Sequence, residues 1–326
     1  MPDQPTPPAL ADAPVLAHVI RDGIVESVHR ASVAVTAPDG SLLHAWGAVD
    51  DPVFPRSSNK PLQAVAMLRS GLALPPHQLA LACASHSAEP FHLDAVRDVL
   101  AAAGLTEADL QNTPDLPYDP DERDIWVAAH RTARPLAQNC SGKHAAMLAT
   151  CRANGWDLAT YRDESHPLQR AMAATIADLA GEPVAAMAVD GCGAPVMAIS
   201  LAGLARAFGR VAAADPGTPE GVVADAIRRH PEYLGGTRRD VTALIRGTRG
   251  AIAKDGAEAV YAVGLADGRG IALKVADGGQ RARPVILAAV LRRLGVESSA
   301  YDRLEDAPVL GHGKPVGAVV AVGIGA

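Results

Sequence analysis

The chain has 326 residues, of which 48% are hydrophobic and 20% charged, and this balance is typical of a globular protein. A net charge of −6, without basic runs interleaved with aromatic residues, argues against a nucleic-acid binder. The apolar runs are too short to span a bilayer, and the proline-rich opening lacks the pattern of a secretory signal. We therefore expect a cytoplasmic protein without membrane contact, in which residues 1–14 form a disordered tail.

The first elements in chain order are predicted to be strands. Residues 15–47 carry β-branched residues in partial alternation, with Asp-Gly turn signals at 22–23 and 39–40. From Lys60 to about Arg69 the pattern becomes helical, and Gly71 is expected to end that helix.

The middle of the chain is predicted to be mostly helical. A second helix is expected over residues 89–103, with Ser87 as its cap. The segment from Asn112 to Pro135 is rich in proline and charge, which predicts a long loop with a solvated acidic run at 119–124. Further helices are predicted at about Lys143–Ala153, Pro167–Leu179, Met197–Phe208 and Pro219–Arg229.

The C-terminal third returns to strands. Residues 259–279 indicate a hairpin with its turn at Asp267-Gly268, followed by a helix at about 282–294 and a last strand near 316–325. Terminal strands from both chain ends can form one antiparallel sheet, with the central helical part (about 57–250) on it or beside it. The sequence thus predicts an α+β fold and a single domain over residues 15–326.

Ser57 and Lys60 stand three residues apart at the start of a predicted helix, a spacing that brings both side chains to one face. A serine hydroxyl becomes a good nucleophile when a nearby base takes its proton. A lysine can be that base only if burial or a second cation lowers its pKa, and the apolar helix after Lys60 would supply burial. Taken alone, the pattern also fits a capping serine beside a solvated lysine.

The chain has 30 basic residues, and only five of them are lysines. Chemistry that needs a neutral amine requires lysine, because arginine is effectively never deprotonated. In one class of serine hydrolases, Ser-x-x-Lys is joined by a second polar serine motif and by Lys-[Ser/Thr]-Gly. Ser85-His86-Ser87 and Lys254-Asp255-Gly256 occupy suitable positions, although Asp255 stands in the place of the hydroxyl residue.

A second cluster centres on Cys140 and Cys192, each in a glycine-containing segment predicted to lead into a helix. Thiolates at helix N-termini have lowered pKa values and bind zinc readily. The remaining donors could be Lys143, His144, Asp190 or water. Two buried cysteines, a redox pair and a Cys/His nucleophile are the alternative interpretations. The other two cysteines, Cys83 and Cys151, are expected in the core.

Five ordered segments resemble the Rhizobium etli-type L-asparaginases, also called the asparaginase II family. They are FPRSSNKPLQ, CASHSAEP, NCSGKHAAML, AVDGCGAPV and KDGAEAVYAVGLADGRGIALKVADG, and the resemblance runs from about Val15 nearly to the end of the chain. It implies a fold like that of the serine β-lactamases and glutaminases, a homodimer, and hydrolysis of L-asparagine to L-aspartate and ammonia.

The resemblance also assigns roles to individual residues. It implies that Ser57 is the nucleophile with Lys60 as its partner, and that Ser85 and Lys254 form a second Ser–Lys pair that relays protons. It implies a zinc ion held by Cys140, Lys143 and Cys192, with Asp190 linked to it through water. Arg56, the neighbour of Ser57, is a candidate for binding the substrate carboxylate.

Two other functions stay open at this point. One is hydrolysis of another amide by the same fold, such as glutamine or a β-lactam, because one methylene changes binding by only about 1–3 kcal/mol. The other is a non-catalytic protein that binds a metal or an amino acid, although such a protein has no need of neutral lysines.

Overall fold

The computed structural model describes residues 9–325 of the chain. Of the expected tail, residues 1–8 lie outside the described residues, and Ala9–Asp12 form a short 3-10 helix. The chain divides into two compact units. The first comprises Met1–Ser58, Ile199–Ala213 and Ala243–Ala326, and the second comprises Asn59–Ala198 and Ala214–Thr242.

The strands of the described chain are, in order, β1 (Val15–Arg21), β2 (Ile24–Thr36), β3 (Leu42–Trp46), β4 (Pro52–Val53), β5 (Ala186–Val189), β6 (Pro195–Ser200), β7 (Ile252–Asp255), β8 (Val260–Gly264), β9 (Gly270–Val275), β10 (Pro308–Gly311) and β11 (Lys314–Ala321). The α-helices are α1 (Lys60–Arg69), α2 (Pro76–Ala82), α3 (Pro90–Ala102), α4 (Pro120–Ala128), α5 (Ser141–Asn154), α6 (Pro167–Ala180), α7 (Leu201–Ala212), α8 (Pro219–Arg229), α9 (Pro231–Leu234), α10 (Asp240–Gly247), α11 (Arg283–Arg293) and α12 (Tyr301–Glu305).

The first unit is built on one antiparallel sheet with the strand order β10-β11-β1-β2-β9-β8-β7. An additional strand, β3, also pairs with β2. Strands β8 and β9 are buried along their whole length, so both of their faces are covered. Helices α7 and α11 pack on this sheet. The predicted α+β fold, with a sheet built from both chain ends, is therefore confirmed.

The turn signals of the sequence are confirmed at all three predicted positions. Residues 22–23 connect β1 to β2, residues 39–40 lie between β2 and β3, and residues 267–268 lie between β8 and β9. Glycines with positive φ at these turns adopt a backbone conformation that is costly for other residues.

The second unit is mainly helical. Helix α1 packs on α6 and α8, α2 packs on α8, and α3 packs on α5. Every residue of α1 from Lys60 to Met67 is buried, which explains why its sequence shows almost no polar face. The predicted bounds of α1 and α8 agree with the structure. No helix in the described part of the chain is long and apolar enough to cross a membrane.

The predicted loop over Asn112–Pro135 is wrong in part, because it contains α4. Asp119 caps this helix by accepting hydrogen bonds from the amides of Asp121 and Glu122. Asp119 is also buried and paired with Arg238 at 2.6 Å, so this residue does not belong to a solvated face. The capping signal was present in the sequence, but the proline-rich surroundings concealed it.

Two other local predictions are also wrong. The predicted helix Met197–Phe208 is a buried strand, β6, followed by α7, and Ser200 caps α7 by accepting from the amide of Gly203. Ser87 does not cap the second predicted helix. Its hydroxyl donates to the carbonyl of Gly235 at 2.9 Å, and Glu89 occupies the cap position without a side-chain bond to the helix amides.

Candidate active site

Ser57 lies in a 3-10 helix, Arg56–Asn59, that leads directly into α1. Pro61 is tolerated there because the amides of a first helical turn have no intrahelical partner. Arg56 has a φ of 52°, an uncommon backbone conformation for a residue other than glycine. The side chain of Ser57 is half-buried, whereas that of Ser58 is buried and donates to the carbonyl of Lys254 at 3.1 Å.

Lys60, in the second unit, is 1% exposed and its ammonium has three hydrogen-bond acceptors. Its Nζ donates to the carbonyl of Ala84, to Ser85 Oγ at 3.1 Å and to Cys140 Sγ at 3.0 Å. A lysine ammonium has three donors, so these acceptors match its capacity. The structure thus brings together Lys60, a residue of the serine motif and a residue of the cysteine motif.

The loop that carries Ser85 is fixed by the buried residue His86. The amide of His86 donates to the carbonyl of Asn139 at 3.1 Å, and its ring Nε2 lies 2.8 Å from Ser141 Oγ. Its Nδ1 accepts from the amide of Ala88 at 3.1 Å. Burial, and then the neighbouring charges of His92 and Lys60, hold the pKa of His86 well below its ordinary value. His86 is therefore a neutral connection between the two motifs.

Cys140 and Cys192 are brought together in the second unit, where their side chains influence each other's pKa. Cys140 caps α5, as the sequence predicts, but Cys192 lies in the turn between β5 and β6 rather than at a helix start. Lys143 Nζ donates to Cys192 Sγ at 3.2 Å. None of the four cysteines forms a disulfide in the described chain, and Cys83 and Cys151 are buried in the core.

The two thiols have opposite electrostatic environments. The interaction with the Cys140 thiol, and then the charge of Lys143, lower the pKa of Cys192 to about 5. The same interaction between the thiols, and then burial, raise the pKa of Cys140 to about 12. Burial is the largest single influence on Lys143 and disfavours its charged form, but the attractions to Cys192, Cys140 and Asp190 together outweigh it and raise its pKa. Cys192 is therefore a thiolate paired with an ammonium.

These residues fit a zinc ion only if an amine is included among the ligands. No group of three His, Cys, Asp or Glu side chains suited to a metal occurs among the described residues. Cys140, Cys192 and Lys143 supply two sulfurs and one nitrogen, and zinc accepts both donor types. The negative charge of half-buried Asp190 raises the pKa of Lys143 and that of Cys192.

His144 is buried beside this cluster. Its Nδ1 lies 2.7 Å from the hydroxyl of Tyr161, and its Nε2 has no hydrogen-bond partner among the described residues. Burial, and then repulsion from Lys143, hold its pKa well below the ordinary value. From the sequence, His144 was an alternative metal donor. In the structure its ring is neutral and hydrogen-bonded to Tyr161.

Lys254 lies in the first unit, where it is fully buried on β7. Its Nζ donates to both the carbonyl and the carboxylate of Asp255, each at 2.6 Å. Arg283 Nη1 lies 3.7 Å from the other carboxylate oxygen of Asp255, and its guanidinium stacks on Tyr261. Asp255, which departs from the hydroxyl of the motif, therefore makes a buried ion pair.

Arg56 also belongs to the first unit, where its Nη1 lies 4.0 Å from the carboxylate of Glu258. Sequence reasoning missed the carbonyl of Ala84, because a backbone acceptor has no sequence signature. It also missed Asn139, whose Oδ1 accepts from Cys140 Sγ at 3.0 Å, and Arg283. Asn139 adjoins Cys140 in the motif, and this adjacency was the available signal.

Comparison with solved structures gives only distant similarity. A β-lactamase (Mb2281c) from Mycobacterium bovis is 13% identical, with 81% of this chain and 94% of that chain covered and a TM-score of 0.44. Mglu is 16% identical (86% and 63% covered, TM-score 0.36), and a Bacillus glutaminase is 12% identical (82% and 91% covered, TM-score 0.33). These values are too low to support a statement about fold or reaction.

Comparison with sequences gives a more specific result than comparison with structures, because it identifies a family. No curated protein matches the chain significantly. The family model for L-asparaginase II matches residues 17–321, which include all of the motif residues described above. The chain therefore belongs to the L-asparaginase II family.

Proposed function

We propose that the protein is an L-asparaginase of the Rhizobium etli type, which hydrolyses L-asparagine to L-aspartate and ammonia. Membership of the L-asparaginase II family supports an amidohydrolase. The observation that carries the proposal is the buried Lys60, whose Nζ bonds to Ser85 Oγ and to Cys140 Sγ. This contact joins the serine–lysine chemistry to the thiol cluster within one compact unit.

The proposed reaction begins when Ser57 Oγ attacks the side-chain amide carbon of asparagine. Lys60, in its neutral form, takes the hydroxyl proton, and amides at the start of α1 stabilise the negative charge on the amide oxygen. The proton then passes to the amide nitrogen and ammonia leaves, which gives an ester on Ser57. Water hydrolyses this ester and restores the serine. Ser85 and Lys254 relay protons during these steps.

We further propose that Cys140, Lys143 and Cys192 hold a zinc ion, with Asp190 linked to it through water. Lys143 binds a metal only as the neutral amine, so zinc would replace its proton. The ion would supply positive charge that attracts the amino-acid end of the substrate. A cytoplasmic location and a homodimer belong to the same proposal and rest on the sequence.

The test is an ammonia-release assay with L-asparagine and L-glutamine on purified protein. We expect turnover of asparagine, and Ser57→Ala should abolish it while circular dichroism and metal content stay unchanged. Ser41→Ala, in an exposed turn, is the matched control and should keep full activity. Full activity in Ser57→Ala would exclude Ser57 as the nucleophile, and faster turnover of glutamine would make the protein a glutaminase.

Metal removal tests the zinc part of the proposal separately. Treatment with a chelator should raise KM for asparagine more than it lowers kcat, and zinc should restore both. An unchanged KM together with lost turnover would contradict a role in substrate binding. Metal binding without turnover of any amide would favour a non-catalytic binding protein.

A further inference from the structure

Arg162 lies in the connection between α5 and α6, within the second unit. The residue is half-buried, and its Nε donates to Oε1 of Gln111 at 3.1 Å. Gln111 is in turn fixed to the same connection, because its amide donates to the hydroxyl of Tyr161 at 3.3 Å and its Nε2 donates to the carbonyl of Leu158 at 3.1 Å. The Nε edge of the Arg162 guanidinium is therefore held in place by Gln111.

The guanidinium also approaches the turn between β5 and β6, which carries Cys192. Gly193 in this turn has a φ of +85°, and a Cβ at this position would lie 2.7 Å from Nη1 of Arg162. A side chain at residue 193 would therefore occupy the space of the guanidinium. Arg162 thus packs on the residue that follows one of the two thiols of the proposed zinc site.

The positive charge of Arg162 is not paired within residues 9–325, the part of the chain that the structure describes. Its hydrogen bond there is to the neutral amide of Gln111, and it makes no ion pair with a carboxylate. Asp163 and Glu164 follow it in sequence, but both are exposed. Arg238 is different, because three carboxylates surround it at 2.6 to 3.3 Å. A half-buried charge without an opposite charge is costly, and a bound anion would remove this cost.

A second donor in the same region lacks an acceptor. The hydroxyl of Tyr161 accepts from the amide of Gln111, and its own proton can donate to Nδ1 of His144, 2.7 Å away. In the neutral ring the hydrogen then lies on Nε2, and this buried atom has no partner among the described residues. The surroundings of Arg162 therefore have more donors than acceptors, which suits a negatively charged ligand.

We propose that Arg162, at the turn of Gly193, binds the α-carboxylate of the substrate and is thereby a specificity-determining residue. This inference rests on the proposed hydrolysis of asparagine, and every residue that carries it belongs to the second unit. The planar guanidinium can bind a carboxylate through two parallel hydrogen bonds, and the bond to Gln111 would preserve its orientation.

The two lysines of the second unit's cysteine cluster are less suited to this role. Lys60 donates to a carbonyl, a hydroxyl and a thiol, and Lys143 is paired with Cys192. Both lysines are at most 2% exposed, whereas half-buried Arg162 can be reached by a small anion from solvent. Arg56, the candidate from the sequence, is compared with Arg162 directly by experiment.

The experiment compares L-asparagine with β-alaninamide, an amide that has the same reacting group but lacks the α-carboxylate. For Arg162→Ala, KM for asparagine should rise about 10- to 100-fold, the usual effect of losing charged hydrogen bonds. The value of kcat/KM for β-alaninamide should change less than about 3-fold on the same scale. Arg162→Lys should restore part of the KM, because it keeps the charge but not the planar pair of donors. Arg170→Ala, at an exposed position, is the control and should keep the wild-type KM.

A purely structural role of Arg162 would reduce turnover of both amides equally, and that result would overturn the proposal. A rise in KM with Arg56→Ala but not with Arg162→Ala would assign the carboxylate to Arg56 instead. If Arg162→Ala does not fold, as judged by circular dichroism, Arg162→Lys decides: it should raise KM for asparagine alone, and an unchanged KM would reject the inference.

Calorimetry separates this inference from the proposed function, because it needs no turnover. L-Aspartate is compared with β-alanine, which lacks the α-carboxylate. Weaker binding of L-aspartate to Arg162→Ala, with unchanged binding of β-alanine, would support the inference even if no amide is hydrolysed. Equal binding of L-aspartate by the variant and the wild-type protein, or no binding to the wild-type protein, would reject it.

Discussion

The two compact units provide different partners for their buried lysine side chains. In the first unit, Lys254 is completely buried but bonded to the carboxylate of Asp255, with Arg283 close to the second oxygen. In the second unit, Lys60 is equally buried, and its acceptors are a carbonyl, a hydroxyl and a thiol. Loss of a proton from Lys254 would break an ion pair. Loss of a proton from Lys60 would break none, because its described partners include no carboxylate.

Three of the buried histidines of the second unit have lowered pKa values. Burial lowers the pKa values of His86 and His144 strongly and that of His92 to about 4, so all three are neutral near pH 7. This unit also holds charged pairs, namely Cys192 with Lys143 and Asp119 with Arg238. The two units thus differ at these two lysines: a carboxylate pairs with Lys254 in the first unit, whereas a carbonyl, a hydroxyl and a thiol surround Lys60 in the second.

The largest expected effect on stability comes from removing the charge of Lys254. Lys254→Met should lower the free energy of unfolding by about 3–5 kcal/mol, because Asp255 would remain as a poorly compensated buried charge. Urea unfolding followed by circular dichroism measures this change. Lys314→Met, at an exposed position, should stay within about 0.5 kcal/mol of wild type.

The double variant Lys254→Met/Asp255→Asn sharpens this prediction. It should recover part of the lost stability, because it removes the uncompensated carboxylate as well as its partner. If Lys254→Met alone unfolds at the same urea concentration as wild type, the ion pair does not stabilise the first unit and the comparison between the units fails.

A smaller, pH-dependent effect is expected from His92 in the second unit. Burial lowers its pKa from 6.5 to about 4, so between these values the unfolded chain binds a proton that the folded protein does not. The resulting contribution is complete above about pH 6.5 and is lost towards pH 4, which amounts to about 3 kcal/mol at most.

His92→Phe should therefore flatten the acid side of the stability curve, whatever its effect at pH 7. Unfolding free energies at pH 7, 5.5 and 4 measure the slope, with His312→Asn in an exposed turn as the control. Equal slopes in His92→Phe and wild type would show that His92 is not held neutral by burial.

The smallest effect is expected at a contact of the first unit between a histidine and an exposed carboxylate. His29 Nδ1 lies 2.9 Å from Asp277, but the carboxylate side chain is 54% exposed. Asp277→Asn should change the free energy of unfolding by less than about 1 kcal/mol, because water screens exposed pairs. A loss as large as that of Lys254→Met would mean that burial does not decide the strength of these pairs.

The fold was predictable from sequence where local signals and tertiary packing agree. The bounds of α1 followed from the apolar run after Lys60, and the β8–β9 hairpin followed from its Asp-Gly turn. Strand β6 was mistaken for a helix because it is buried at every position, so its sequence lacks alternation. Helix α4 was missed because part of its stabilisation comes from Arg238, more than a hundred residues away.

The candidate site was predictable as a set of motifs, but its hydrogen bonds were not. Ser57, Lys60, Ser85, Cys140 and Lys143 could be selected because their residue types carry known chemistry. The contact of Lys60 with both Ser85 and Cys140 depends on the packing of α1, α2 and α5. Arg162 carries no motif of its own, and its approach to Gly193 depends on the folding of the chain between α5 and α6.

Gly142 determines how closely the cysteine motif and the serine motif can approach each other. It lies between Ser141 and Lys143, and a Cβ at this position would meet both the carbonyl and the side chain of Leu81 at 2.6 Å. A side chain at position 142 would therefore separate the start of α5 from the end of α2. The size of residue 142 thus determines how far Lys60 must extend to contact both Ser85 and Cys140, although the glycine itself contributes no reactive group.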